Sequence, residues 1–266
     1  MRRTGLAGVL TLAACLACAQ EKGLIFAHRG GSFEFDENTI QAFEGSYAKG
    51  LRGFETDVRM TKDGQLVILH DDTMNRTYVG TGRVEEKTAA ELRSVKTRKT
   101  GQPFLFLDDL LAWCADKPGV YFEFEMKTSD KKFYPDTLLP EYCEKLYKQV
   151  TASQPKDSFY VFTSGDQRAL KAMKRVDPKA DVLLIVGGAC TKEVVQNAQR
   201  LGAKRIGCCS DVTSRAQVRE AHKAGLRVSG WPGHTVDDYE LGLALGMDAL
   251  CTDIPVQIMA WKNRAP

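Results

Sequence analysis

Residues 182–252 read VLLIVGGACTKEVVQNAQRLGAKRIGCCSDVTSRAQVREAHKAGLRVSGWPGHTVDDYELGLALGMDALCT. One pattern recurs along this stretch: a short apolar, β-rich run, a polar stretch of helical period, a glycine, then the next run. Val182–Val186, Arg205–Cys209, Leu226–Gly230 and Ala249–Thr252 are predicted strands; Lys192–Leu201, Ser214–Ala224 and Val236–Leu245 are predicted helices. Gly202, Gly225 and Gly246 stand where a helix ends in the left-handed conformation. Strands separated by helices imply parallel pairing, because a parallel neighbour is reached only through a crossover of about a dozen residues.

The same alternation continues toward the amino terminus. Leu24–His28, Gly53–Val58, Leu66–His70, Val120–Lys127 and Phe159–Thr163 read as strands. Thr39–Ala48, Thr88–Leu92, Leu107–Cys114, Thr137–Val150 and Asp166–Lys174 read as helices, the first behind Asn38 as its cap and closed by Gly50. No linker rich in Gly, Pro or Ser divides the chain. About eight strand–helix units over about 250 residues predict a single α/β domain, residues 20–266, folded as a (β/α)8 TIM-type barrel. Two features sit badly with that expectation. Nine runs compete for eight places, and the interval from Val58 to Leu66 is too short for a parallel crossover.

The full chain has 266 residues, 43% hydrophobic and 27% charged, which excludes disordered and collagen-like classes. Lys plus Arg number 37 against 34 acidic residues, a net charge of +3 that gives no electrostatic case for a nucleic-acid partner. Residues 1–19 have the form of a signal peptide: Arg2 and Arg3, the apolar stretch Gly5 to Leu16, then Ala17-Cys18-Ala19. A second reading is a lipoprotein signal, with Leu12-Ala13-Ala14-Cys15 as its lipobox and Cys15 lipidated. Both predict an exported protein, periplasmic or secreted, with a lipid anchor as its one tie to a membrane. The six later cysteines, Cys114, Cys143, Cys190, Cys208, Cys209 and Cys251, lack metal spacing and are read mostly as small core residues.

The chemistry-bearing residues concentrate between 27 and 77: Ala27-His28-Arg29-Gly30-Gly31, Glu37-Asn38-Thr39, Glu55-Thr56-Asp57-Val58 and Leu69-His70-Asp71-Asp72-Thr73. Side chains alternate along a strand, so Glu55 and Asp57 project to one face. Two carboxylates there repel unless a hard divalent cation with oxygen ligands lies between them. A third ligand is offered by Tyr121-Phe122-Glu123-Phe124-Glu125-Met126-Lys127, in which Glu123, Glu125 and Lys127 share a face and periodicity does not choose between the acids. His28 and His70 each end a predicted strand, where barrel sites lie, and suit general acid–base work. Arg29 offers a planar fork to a phosphate, and Gly30-Gly31 would let backbone amides approach an anion. Phe33, Phe35 and Trp231 are candidate pocket walls.

HRGG, ENT, ETDVRMTKDG and LHDDTMNRT, with the later Glu125-Met126-Lys127 and Cys251-Thr252-Asp253-Ile254-Pro255, resemble the glycerophosphodiester phosphodiesterase family across nearly the whole chain after residue 19. The resemblance implies a TIM barrel that hydrolyses glycerophosphodiesters to sn-glycerol 3-phosphate and an alcohol. It implies His28 and His70 as the acid–base pair, Glu55, Asp57 and Glu125 as ligands of one divalent cation (Mg2+ or Ca2+), and Arg29 and Lys127 as phosphate contacts. A small-molecule diester is then the expected partner. The alternatives are a phospholipase-D-like enzyme acting on intact lipids and a non-catalytic phosphodiester-binding barrel. Two positions depart from the family pattern: Asp36 replaces the proline before ENT, and Trp231 is followed by Pro232-Gly233-His234 where the family has Thr-Val-Asn.

Overall fold

A computed structural model describes residues 23–264; the predicted signal segment lies outside the described residues. Eight parallel strands close into a barrel: β1 (Leu24–Ala27), β2 (Gly53–Met60), β4 (Tyr121–Met126), β5 (Phe159–Ser164), β6 (Val182–Ile185), β7 (Arg205–Cys209), β8 (Arg227–Trp231) and β9 (Ala249–Thr252). β1 seals it, pairing with β9 over Leu24–Ala27 and with β2 at Ala27↔Phe54. The ninth candidate run is β3 (Leu66–Ile68), which pairs antiparallel with the end of β2 outside the barrel. That removes both difficulties of the sequence reading: eight strands remain, and a hairpin needs no crossover.

The helices are α1 (Ile40–Ala48), α2 (Ala89–Leu92), α3 (Leu107–Cys114), α4 (Leu139–Ala152), α5 (Gln167–Val176), α6 (Lys192–Arg200), α7 (Arg215–Lys223), α8 (Val236–Leu245) and α9 (Pro255–Lys262). All but α2 cover the outer faces of the strands, where Phe54, Phe122 and Phe124 meet Phe43 of α1, Leu146 of α4 and Met173 of α5 in one large core. Inside the barrel, Phe26, Tyr121, Val161, Leu183 and Ala249 form a separate cluster. Arg205 lies beside it, with Nε 3.1 Å from Asp181 and its guanidinium 4.8 Å from the Phe159 ring centroid. These residues occupy the starts and middles of the strands and leave the carboxyl ends to polar groups.

The segment between β3 and α3 carries its own small core of Val67, Leu69, Met74, Tyr78, Val84, Leu92, Phe104 and Phe106. It is tied to β2 by the buried pair Arg59–Glu85, 2.9 Å apart. A second correction concerns α1. Its cap is Thr39, whose hydroxyl accepts from the Ala42 amide at 3.2 Å, and not Asn38. Asn38 holds a positive φ of 55° and turns its side chain inward instead.

Candidate active site

β1 ends at Ala27, and the chain turns sharply through His28–Gly30. Arg29 there takes φ 53°, a left-handed conformation that costs a non-glycine residue roughly 1–3 kcal/mol. That turn points the Arg29 amide at Oε2 of Glu55 (3.0 Å) and its guanidinium at Glu37 (3.0 Å) and Asp57 (3.6 Å). Packing requires the glycines that follow. A Cβ on Gly30 would meet that of Ala42 at 2.7 Å, one on Gly31 would meet Pro255 at 2.6 Å, and the Gly31 amide is spent on His28 O.

Strand pairing brings the carboxylates together. β2 and β4 run in register, so Asp57 stands beside Glu125 and Glu55 beside Glu123. Oxygens of Glu55, Asp57 and Glu125 all lie within 4.8 Å of one another. Oε1 of Glu55 and Oδ1 of Asp57 are buried without a hydrogen-bond partner. Carboxylate oxygens buried without a hydrogen bond are expensive unless cations offset their charge; Lys127 approaches Asp57 Oδ1 only to 3.6 Å, and a set of hard oxygen donors suits Mg2+ or Ca2+. Burial and the two neighbouring carboxylates push the Glu55 carboxyl well above its usual range. Burial would raise Asp57 as well, but Lys127, His70, Arg29 and the Asn38 amide outweigh it and hold Asp57 below the ordinary carboxylate range. Asn38 does this directly: Nδ2 donates to Asp57 Oδ2 at 2.8 Å while its Oδ1 accepts from Thr56 at 2.9 Å. Lys127 lies 3.0 Å from Glu125 and 3.6 Å from Asp57. Glu123 sits one rung deeper, hydrogen-bonded to the Tyr121 hydroxyl and outside the cluster.

The two histidines face one cavity of ≈ 390 Å³, lined also by Arg29, Glu55, Glu125, Lys127 and Trp231. Nδ1 of His28 lies 2.7 Å from Asp253 Oδ1, and Nδ1 of His70 lies 2.8 Å from Asp71 Oδ1. A carboxylate only accepts, so each Nδ1 is the protonated nitrogen and each Nε2 is left for other work. Burial lowers the His70 pKa, with Lys127 and Arg29 adding to it and Asp57 opposing. His70 does not end a strand as predicted; it follows β3 by two residues. Arg59 brings it to the barrel mouth, donating to Leu69 O at 3.1 Å and to His70 O at 2.9 Å.

The structure therefore gathers all seven predicted site residues, His28, Arg29, Glu55, Asp57, His70, Glu125 and Lys127, around the mouth of the barrel. Asp253, Asn38, Arg59, Glu37 and Arg76 were not assigned a site role from sequence. All five lie within the quoted motifs, and only their pairing partners are hidden there. Trp231 lines the cavity and Phe33 borders the adjoining cleft with His28 and His234. Phe35 does not wall the pocket; its ring packs over Gly45 of α1, where a Cβ would meet it at 2.4 Å.

A family model, the glycerophosphoryl diester phosphodiesterase family, matches residues 28–257. The chain belongs to this family. It is 29% identical over 243 residues to a glycerophosphodiester phosphodiesterase of Caldanaerobacter subterraneus subsp. tengcongensis, covering 88% of this chain and 95% of that one. A glycerophosphodiester phosphodiesterase of Bacillus altitudinis is 32% identical, with 87% and 94% covered. Among solved structures, an Oleispira antarctica phosphodiesterase in complex with the product sn-glycerol-3-phosphate superposes with a TM-score of 0.82 at 22% identity, over 91% of this chain and 97% of that one. A glycerophosphodiester phosphodiesterase from Parabacteroides distasonis gives a TM-score of 0.72 at 20% identity, over 92% and 99%. The protein is thus an enzyme, a phosphoric diester hydrolase on a (β/α)8 barrel.

Proposed function

We propose that the protein hydrolyses small glycerophosphodiesters to sn-glycerol 3-phosphate and an alcohol such as choline or ethanolamine, with one divalent cation, Mg2+ or Ca2+. The observation that carries this is the Glu55–Asp57–Glu125 cluster, in which one buried oxygen each of Glu55 and Asp57 accepts no hydrogen bond, in a cavity shared with two carboxylate-held histidines. These three residues would hold the ion, which when bound polarises a nonbridging phosphoryl oxygen and offsets charge developing on the phosphoryl group. Arg29 and Lys127 bind and orient the phosphate, Arg29 as a planar fork and Lys127 as a point charge. One histidine takes the proton of the attacking nucleophile, water or the substrate's own neighbouring hydroxyl, at Nε2, and the other gives a proton from Nε2 to the leaving alkoxide oxygen.

A cavity of ≈ 390 Å³ is near the lower end of small-molecule sites, which favours a water-soluble diester over an intact phospholipid. The product bound in the Oleispira antarctica relative supports sn-glycerol 3-phosphate. We also propose that the protein is exported, on the strength of residues 1–19; mass spectrometry of the mature amino terminus separates cleavage before Gln20 from lipidation at Cys15. The enzymatic reading is tested with purified protein and glycerophosphocholine. Activity disappears with chelator and returns with Mg2+ or Ca2+, with sn-glycerol 3-phosphate as product; full turnover after exhaustive chelation rejects the metal site.

A further inference from the structure

His234 lies on the loop between β8 and α8, at the wall of the same cavity, and carries no step of the chemistry above. Its Nε2 stands 3.1 Å from Oδ2 of Asp253, the same carboxylate whose Oδ1 takes Nδ1 of His28 at 2.7 Å. Three side chains that follow the carboxyl ends of β8, β9 and β1 thus line up as His234, Asp253 and His28.

The loop is pinned where it must be for this contact. Gly233 O accepts from the Asp253 amide at 2.9 Å and from the Thr252 hydroxyl at 3.0 Å. Gly233 lies so close to β9 that a Cβ there would come within 1.9 Å of Cys251 O, an approach that only glycine permits. On its other side the His234 amide donates to Asp238 Oδ2 at 2.9 Å, which fixes the start of α8. The imidazole stacks on Phe33 with 4.9 Å between ring centroids. His234 is therefore held at its amide, at its ring face and at Nε2, although its side chain is 48% exposed.

Asp253 is the reason this placement matters. Its Oδ1 takes both His28 and the Ser32 hydroxyl. A carboxylate fastened through one oxygen still swings about its Cβ–Cγ bond, and any swing turns the imidazole it orients. The His234 ring, at ion-pair distance from Oδ2, opposes that swing. Outer partners of this sort set the tautomer and ring orientation of a functional histidine. We propose that His234 is a positioning residue: through Asp253 Oδ2 it fixes the carboxylate that orients His28. This rests on the proposed acid–base role of His28.

The test compares kcat and KM for glycerophosphocholine in H234A, H234Q, H234F and H28A. H234A lowers kcat by roughly tenfold and leaves KM within about twofold, since an orienting contact acts on the step and not on uniform binding. H234Q, whose amide nitrogen reaches the Nε2 position, retains most of the kcat. H234F keeps the stack on Phe33 but has no donor, and falls with H234A. Unchanged kcat in H234A, a change confined to KM, or full kcat in H234F each overturns the inference. Should H234A fail to fold, H234Q against H234F decides. An active H28A instead overturns the reading of His28; an inactive H28A beside a wild-type-like H234A overturns the positioning role alone.

Discussion

His28 and His70 each give Nδ1 to a carboxylate at nearly the same distance, 2.7 and 2.8 Å, yet the two pairs are assembled in opposite ways. His28 meets a partner 225 residues away, brought to it when β1 and β9 close the barrel. His70 meets its sequence neighbour. Asp253 is 3% exposed and shared with Ser32 and His234; Asp71 is 26% exposed and held by Arg76 at 2.7 and 2.9 Å. Equal distances therefore hide unequal support. The first pair is fixed by the barrel itself, and the second by a local loop that Arg59 anchors from beneath. Buried polar groups with few alternatives are costly to disturb, whereas exposed ones re-solvate.

Both pairs look onto one carboxylate cluster, so disabling it should silence both regardless of how each is built. Glu125→Gln is expected to abolish metal-dependent activity, with no recovery on adding Mg2+ or Ca2+. Glu123→Gln, altering a residue that touches Tyr121 and not the cluster, should lower activity by about 10- to 100-fold. Metal titration checks the pair of variants; loss of the ion in E123Q with normal binding in E125Q would invert the assignment.

Next in size are the histidines. H28A and H70A should each fold and lose turnover by roughly 10²-fold or more. A variant that keeps near wild-type kcat is not one of the acid–base pair.

The carboxylates behind them should then separate. D253N is expected to cost close to the upper end, and D71N close to the lower end, of the roughly 10- to 100-fold typical of outer partners. Asp71 already shares its charge with Arg76, and His70 retains the backbone clamp from Arg59. Equal kcat losses would show that the closure of the barrel gives His28 no special support.

The same contrast explains what could be read from sequence. The β–α alternation was legible because each unit repeats locally, and the motifs at 28–29, 55–57 and 125–127 are short enough for side-chain alternation to group them. β3 is legible as a strand but not its place outside the barrel, because three apolar residues have no period to declare their partner and only the short interval after Val58 hints at a hairpin. Asn38 looked like a cap because its type suits one; the site claims it through Asp57, a contact across 19 residues. Asp253 was visible as a motif member, while its bond to His28 exists only once the barrel is closed. Local patterns reveal what sits near in sequence, and the pairs made by closure are what they leave out.

The smallest effect expected concerns stability and isolates the looser pair. Hydrogen bonds from Arg76, outweighing the opposing effect of burial and helped by His70, lower the Asp71 carboxyl from 3.8 to about 2. A carboxyl whose pKa is depressed on folding adds stability above its unfolded value and loses it as pH falls through the folded one. The Asp71 contribution is therefore complete above about pH 4 and gone below about pH 2. Because the Arg76 side chain is 50% exposed, solvent screening keeps the gain small, at most about 1 kcal/mol. That corresponds to a Tm difference of no more than about 2–4 °C between wild type and D71N at neutral pH. The two Tm curves, followed by circular dichroism, should converge as pH drops from about 4 toward 2. A gap that persists unchanged at pH 2 would mean that Asp71 supports the loop by shape and not by charge, and the contrast with the buried Asp253 would then rest on burial alone.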